Sequence, residues 1–311
     1  MGKVAFVFPG QGSQHVGMMR ELHDLHVEAT EVFRVANRIL EREISSLCFD
    51  GREEDLNQTI NTQLAMFVAN HACFRILEEK GVKPDVCLGH SLGEFNALVA
   101  SGVLDFPDAL LLVEKRASLM QEVAEGKAGK MVAVLGLETE KVANGIRSYQ
   151  EKGIACIANY NCPGQVVISG QSTVLDEVAL HLEEEGAKKV IPLRVSGAFH
   201  SPLMKQAARR FRCHLGRVSF RDGKIPVISN VTAEPGMNGG QLREALSWQM
   251  INPVKWEQSV RAVLKSSVDT FVEVGPGKVL CGLIKRITPD AKILNVEDEK
   301  SLRQTLAELA G

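Results

Sequence analysis

The chain opens on an unbroken apolar run, Val4-Ala5-Phe6-Val7-Phe8, with none of the polar alternation of a half-exposed strand. Such a run predicts a strand buried on both faces. Pro9-Gly10-Gln11-Gly12-Ser13-Gln14 follows, and its glycines and proline predict a tight, exposed loop at the strand's end. Helical patterns then fill most of the stretch from 17 to 80. A second short apolar run, Val86-Cys87-Leu88, meets Gly89-His90-Ser91-Leu92-Gly93 and passes at once into Glu94-Phe95-Asn96-Ala97-Leu98-Val99-Ala100, which has helical composition. From 131 onward the elements become short and ordered: strand 131–135, helix 138–149, strand 154–158, strand 165–169, helix 174–185 and strand 189–194. That β-α-β-β-α-β order predicts a ferredoxin-like unit. Strand and helix alternation resumes at 226–229 and 270–274, the latter entering Gly275-Pro276-Gly277.

The predicted fold is therefore α/β, with a hydrolase-like core on a parallel-rich sheet and an inserted ferredoxin-like subdomain. The large α/β domain is expected to comprise 1–127 and 196–311, and the subdomain 128–195. No internal repeat or low-complexity tract interrupts this organisation.

Composition narrows the functional classes. The 311 residues are 45% hydrophobic and 24% charged, the balance of a soluble globular protein. No apolar run reaches the ~20 residues of a membrane helix, and the first residues enter a strand without a signal peptide's long apolar region. A cytoplasmic protein with no membrane partner, and a monomer, is the expectation. The seven cysteines are scattered singly with no C-x-x-C pair, so neither a disulfide framework nor a zinc site is indicated. A net charge of -2 gives no field to attract nucleic acid. An acidic partner would have to meet a local basic patch.

The first candidate for chemistry is Ser91. In G-x-S-x-G between a strand and a helix, the serine stands on a strained elbow at the helix N-terminus, where backbone N–H groups favour developing negative charge. A structural turn serine is the alternative. A nucleophilic serine needs a base, and among the eight histidines His200 is distinctive. It ends Val195-Ser196-Gly197-Ala198-Phe199-His200, and Ser201-Pro202 after it reads as an N-cap with proline at the first helical position. His90 adjoins Ser91 and should point away from it. No acid stands between Glu185 and His200, so a Ser-His pair with a backbone carbonyl orienting the imidazole is simpler than a full triad.

Two polar residues fall on apolar helix faces. Arg116 follows Val113 by three and precedes Met120 by four, which turns a guanidinium inward. Such a group demands an anion, either a substrate carboxylate or a buried acid of the protein. Gln249 lies on the face of Leu242, Ala245 and Leu246 and must likewise find a partner. The backbone N–H groups of Gln11 and Leu92 could supply the two donors of an oxyanion hole. A phosphate loop or dinucleotide site would need G-x-x-x-x-G-K-[ST] or G-x-G-x-x-G, and the loop at 9–14 has neither.

Taken together, Phe8-Pro9-Gly10-Gln11-Gly12-Ser13-Gln14, Gly89-His90-Ser91-Leu92-Gly93-Glu94, Arg116, Asn159 and Asn161 before Pro163-Gly164-Gln165, His200, Gln249 and Gly275-Pro276-Gly277 resemble the malonyl-CoA:acyl-carrier-protein transacylases. The resemblance runs in order over nearly the whole chain. It implies Ser91 as nucleophile, His200 as base, Gln11 and Leu92 as oxyanion donors, Arg116 as the clamp for the malonyl carboxylate, and the Gln249 region as support for His200. Asn159, Asn161 and Phe199 join the substrate-binding set, Phe199 filling the space that a branched α-carbon would need. No cofactor is implied, because malonyl-CoA is a substrate and phosphopantetheine arrives on the partner, a holo acyl carrier protein. Gly197-Ala198-Phe199-His200, Phe95-Asn96-Ala97-Leu98 and Ser229-Asn230-Val231-Thr232-Ala233-Glu234-Pro235 look closest to the free-standing, trans-acting acyltransferases of polyketide synthases. The alternatives are the equivalent enzyme of fatty-acid synthesis, an acyl hydrolase that clears carrier proteins with the same Ser91 and His200, and a non-catalytic carrier-docking protein. Lys188, Lys189, Lys285 and Arg286 are candidate rim charges for an acidic carrier.

Overall fold

The computed structural model describes residues 2–125 and 129–310. Ten strands occur in chain order: β1 (Lys3–Phe8), β2 (Val86–Gly89), β3 (Gly129–Leu135), β4 (Ala155–Cys162), β5 (Gln165–Gln171), β6 (Lys189–Pro192), β7 (Val227–Ile228), β8 (Pro235–Gly236), β9 (Val268–Val274) and β10 (Lys292–Val296). Six form one sheet in the order β10-β9-β1-β2-β7-β8. Every pairing in it is parallel except β7 with β8. The other four form an antiparallel sheet, β4-β5-β3-β6. That is the strand order of a ferredoxin-like unit, with the helices Thr139–Arg147 and Ser172–Glu184 packed against it.

The apolar opening run is buried as its composition requires. Phe6 and Phe8 face a core that includes the helices Thr59–Glu79 and Phe106–Glu125, whereas Ala5 and Val7 face a second core around Trp256, Phe271 and Ile284. The helix Thr59–Glu79 is buried around most of its circumference, sandwiched between its neighbours rather than lying on the surface. None of the described helices is long and apolar enough to cross a membrane.

Several boundaries move from their expected places. The strand β6 stops at Pro192, two residues short of its expected end, and the helix carrying Arg116 spans Phe106–Glu125. The largest change is β4, expected to end at 158, which continues through Asn159 and Asn161 to Cys162 with two irregularities in its register. Beyond its neighbour β5, β4 also has an outside partner: Tyr160 N–H donates to Val254 C=O at 2.9 Å and Val254 N–H to Ala158 C=O at 2.8 Å. This graft onto a segment of the larger half holds the chain extended past the expected end. Gln249 was expected inside a helix, but that helix ends at Trp248 and Gln249 begins a 3₁₀ turn, Gln249–Ile251. The expected domain boundary at 127/128 lies outside the described residues.

Candidate active site

The carboxyl ends of β1 and β2 open on one cleft, the usual place for a ligand on a parallel sheet, and the turn after β7 braces it from behind. β1 delivers Gln11, β2 delivers Ser91, and the turn after β7 delivers Asn230. Helix Phe106–Glu125 presents Arg116 from one side, and β4 presents Asn159 and Asn161 from the other. The cleft has a volume of about 190 Å³ and is also lined by Leu92, Phe199 and His200. Gln249 lies behind this lining, 1% exposed.

Ser91 takes a left-handed backbone, φ 51°, between β2 and the helix Gly93–Ala100. A non-glycine residue there is strained, and the surrounding packing has to impose it. Glycine on either side makes the elbow possible. A Cβ on Gly89 would lie 1.9 Å from the Gly93 carbonyl carbon, and one on Gly93 would lie 2.0 Å from the Phe8 oxygen. Asn230 pins the turn, accepting from Ser91 N–H at 2.7 Å and donating to Gly89 C=O at 2.6 Å.

His200 is also left-handed, φ 55°, just before the 3₁₀ turn Pro202–Met204 that Ser201 caps through Leu203 N–H. Its Nε2 lies 2.8 Å from Ser91 Oγ. Its Nδ1 faces the backbone carbonyls of Gln249 at 2.9 Å and Asn252 at 3.2 Å. Two carbonyls accept only, so Nδ1 carries the proton and Nε2 is left with a lone pair toward the serine hydroxyl. Burial, helped by the positive charge of Arg116, pulls the imidazole down to about 3. The ring is neutral at physiological pH, the form a general base requires.

Arg116 is 1% exposed. Its Nη1 donates to Gln63 Oε1, and its Nη2 to Ser91 Oγ at 2.9 Å and Gln249 Oε1 at 3.0 Å. The guanidinium also sits 5.7 Å from the Phe95 ring centre. Its Nε has no partner, and no carboxylate lies within salt-bridge distance among the described residues. Of the two readings open from sequence, a direct pair with a buried acid is therefore absent. Burial lowers its pKa to about 10, so it stays a cation. A buried cation held only by neutral acceptors is an anion site in waiting.

The N–H groups of Gln11 and Leu92 have no hydrogen-bond acceptor among the described residues, and both residues line the cleft beside Ser91. Free paired donors of this kind can stabilise an oxyanion. His90 turns from Ser91, its Nε2 3.0 Å from Asn161 Oδ1 and its ring against Trp256. Phe199, 4% exposed, narrows the cleft beside the histidine. Of the candidate rim charges, Lys188 and Lys189 are exposed. Arg286 is engaged, donating to Gln165 Oε1 and Pro163 C=O and so tying the helix Val279–Ile287 to the turn between β4 and β5.

Sequence reasoning missed Gln63, Glu94 and Asn230 as members of this network. Asn230 had a local signal in the polar Ser229-Asn230 pair directly after a buried strand. Gln63 had none, since it is one polar residue on a helix that is apolar on nearly all sides.

Known proteins resemble this chain over nearly its whole length. The family model for the acyl transferase domain matches residues 5–301. The malonyl CoA-acyl carrier protein transacylase of Bacillus subtilis (strain 168) is 41% identical over 312 residues, covering 99% of this chain and 98% of that protein. Among solved structures, the malonyl CoA-acyl carrier protein transacylase of Coxiella burnetii superimposes with a TM-score of 0.97 at 37% identity, over 100% of this chain and 98% of that one. A malonyl-transacylase solved in complex with AntF, a type II polyketide-synthase acyl-carrier protein, gives a TM-score of 0.96 at 37% identity, over 98% of this chain and 99% of that one.

Proposed function

The chain belongs to the acyl transferase family, and on that premise we propose that it moves a malonyl group from malonyl-CoA, through an ester on Ser91, to the phosphopantetheine thiol of a holo acyl carrier protein. The observation that carries the malonyl reading is Arg116, a buried cation with no carboxylate partner whose Nη2 donates to the nucleophile's own oxygen. An acyl group esterified to Ser91 and ending in a carboxylate would place that carboxylate at the guanidinium.

The reaction proceeds in two displacements. Ser91 Oγ attacks the thioester carbonyl while His200 Nε2 takes its proton, and the N–H groups of Gln11 and Leu92 hold the oxyanion. Collapse breaks the C–S bond, and the CoA thiolate leaves with the proton from His200. The carrier thiol then gives its proton to His200 and attacks the ester. Collapse of this second adduct returns the proton to Ser91 Oγ. The reaction needs no cofactor beyond these substrates.

Intact-mass measurement after mixing with malonyl-CoA tests the first half. Wild type should gain one malonyl group, release it on addition of holo carrier, and Ser91→Ala should gain none. An adduct that persists on Ser91→Ala would sink the assignment. The finer reading is that the carrier belongs to a polyketide assembly line and is served in trans, which Gly197-Ala198-Phe199-His200 and Ser229 to Pro235 support by resemblance. Competition between a holo polyketide carrier and a holo fatty-acid carrier for the malonylated protein decides it; preference for the latter assigns the enzyme to fatty-acid synthesis.

A further inference from the structure

Glu94 is 1% exposed, sits in the first turn of the helix Gly93–Ala100 and has no direct cationic partner among the described residues. It ends a chain of side chains that leads to the clamp. Gln249 Nε2 donates to Glu94 Oε2 at 2.6 Å and to Ser91 C=O at 2.8 Å, while Gln249 Oε1 accepts from Arg116 Nη2. The backbone carbonyl of the same Gln249 accepts from His200 Nδ1. One glutamine thus touches nucleophile, base and clamp: its backbone carbonyl meets the base, and its side-chain amide serves Ser91, Arg116 and Glu94 in one orientation only. Ionised, Glu94 cannot donate, so together with the Ser91 carbonyl it admits only the amino group of Gln249 on its side, and the oxygen faces Arg116.

We propose that Glu94 is a positioning residue that, through the Gln249 amide, holds Arg116 in place as the clamp for the acyl carboxylate while leaving it free of any direct acidic partner. The inference rests on the malonyl-transfer reading above. A carboxylate in contact with Arg116 would occupy the N–H groups that the substrate needs. One amide further away, it still favours the buried cation without spending those donors. The charge interaction between Glu94 and Arg116 lowers the carboxyl's pKa and raises the guanidinium's, although burial dominates both. Gln249 Nε2 donates to Glu94, and the Asn230 N–H and the Ser229 hydroxyl stand near enough to favour its charged form. Glu94→Gln keeps the volume, removes the negative charge that favours the Arg116 cation, and brings in an NH₂ that can also face Gln249, so the amide no longer has a donor-free side-chain neighbour to fix its orientation.

The experiment compares kcat/KM for malonyl-CoA and acetyl-CoA in wild type and Glu94→Gln. The malonyl-to-acetyl ratio should fall at least about fivefold, with the larger change in KM for malonyl-CoA. NMR of the Gln249 side-chain amide in the free protein reads the lock without substrate; its protons should shift and exchange faster in Glu94→Gln. A wild type that takes no malonyl overturns the transfer reading and this inference with it. A malonylated wild type whose ratio is unchanged in Glu94→Gln overturns the role of Glu94 alone, as does a Gln249 amide that does not move.

Discussion

At the residue scale, selectivity depends on how a single buried cation is left uncommitted. Arg116 spends its donors on Gln63, Gln249 and Ser91, all neutral acceptors. A charge-assisted bond to a carboxylate is worth roughly 1.5–3 kcal/mol. Arg116→Ala should therefore lower kcat/KM for malonyl-CoA by about tenfold or more while sparing or improving acetyl-CoA, which offers no anion. Equal loss on both donors would make the arginine a structural support instead. Much of this site was legible in the sequence because each principal residue carries a local mark. Ser91 has glycines flanking an elbow, His200 has Ser-Pro after it, and Arg116 breaks an apolar face. Glu94 was illegible for a physical reason: an acid in the first turn of a helix is ordinarily explained by the helix dipole. Only the tertiary fold shows it buried against Gln249, 155 residues away.

At the element scale, the strands and helices that bear the motifs were legible, and their neighbours were not. β1 pairs with β2 and with β9, which begins at Val268. A run of apolar residues predicts burial on both faces without naming the strands on either side. The extension of β4 through Asn159 and Asn161 depends on Val254, another long-range partner that no local pattern announces. One element is held from a distance in a way that can be tested. The helix Val279–Ile287 supplies Leu280 and Leu283 to the cleft wall, and its first turn has no side-chain cap of its own. Glu273, at the end of β9, does that work: its two oxygens accept from Leu280 N–H at 3.0 Å and Cys281 N–H at 2.7 Å. Both donors are orphans of a helix start, and the carboxyl is fully buried. Glu273→Ala should cost about 1–3 kcal/mol in urea unfolding, since it strands two buried donors. A cost below about 0.5 kcal/mol would mean that the helix end is satisfied otherwise.

Across the whole molecule, the buried titratable groups that build and surround the site make stability depend on pH with a defined sign. Burial pulls His71 and His200 down to about 3 and also lowers His90, so these rings stay neutral in the folded chain. Once unfolded they take up protons below about 6.5, which means that for His71 and His200 the unfolded state binds more protons between about 3 and 6.5 and stability falls as pH drops through that window. Glu94 and Glu273, pushed up to about 7 by burial, act oppositely. Folded, they keep protons that the unfolded chain releases above about 4.5, so stability falls as pH rises from there toward 7. His71 and His200 thus oppose Glu94 and Glu273 between about 4.5 and 6.5, and little slope remains, with the lowered His90 tilting the balance toward loss in acid. Below about 4.5 both carboxyls are protonated in either state and His71 and His200 act unopposed, each contributing ~1.4 kcal/mol per pH unit. The lowered carboxyls of Asp298 and Glu299 add to the same acid loss. Urea unfolding should therefore give a nearly level stability from pH 7 to about 5 and a steep decline below about 4.5. His71 isolates the cause, because it stacks on Phe106 with ring centres 4.2 Å apart and touches none of the groups assigned to the chemistry. His71→Phe should keep that stack and shallow the acid limb by about one proton's worth of slope, ~1.4 kcal/mol per pH unit, while changing stability at pH 7 much less than at pH 4. An acid limb as steep in His71→Phe as in wild type would show that the neutral histidines are not what the fold loses in acid.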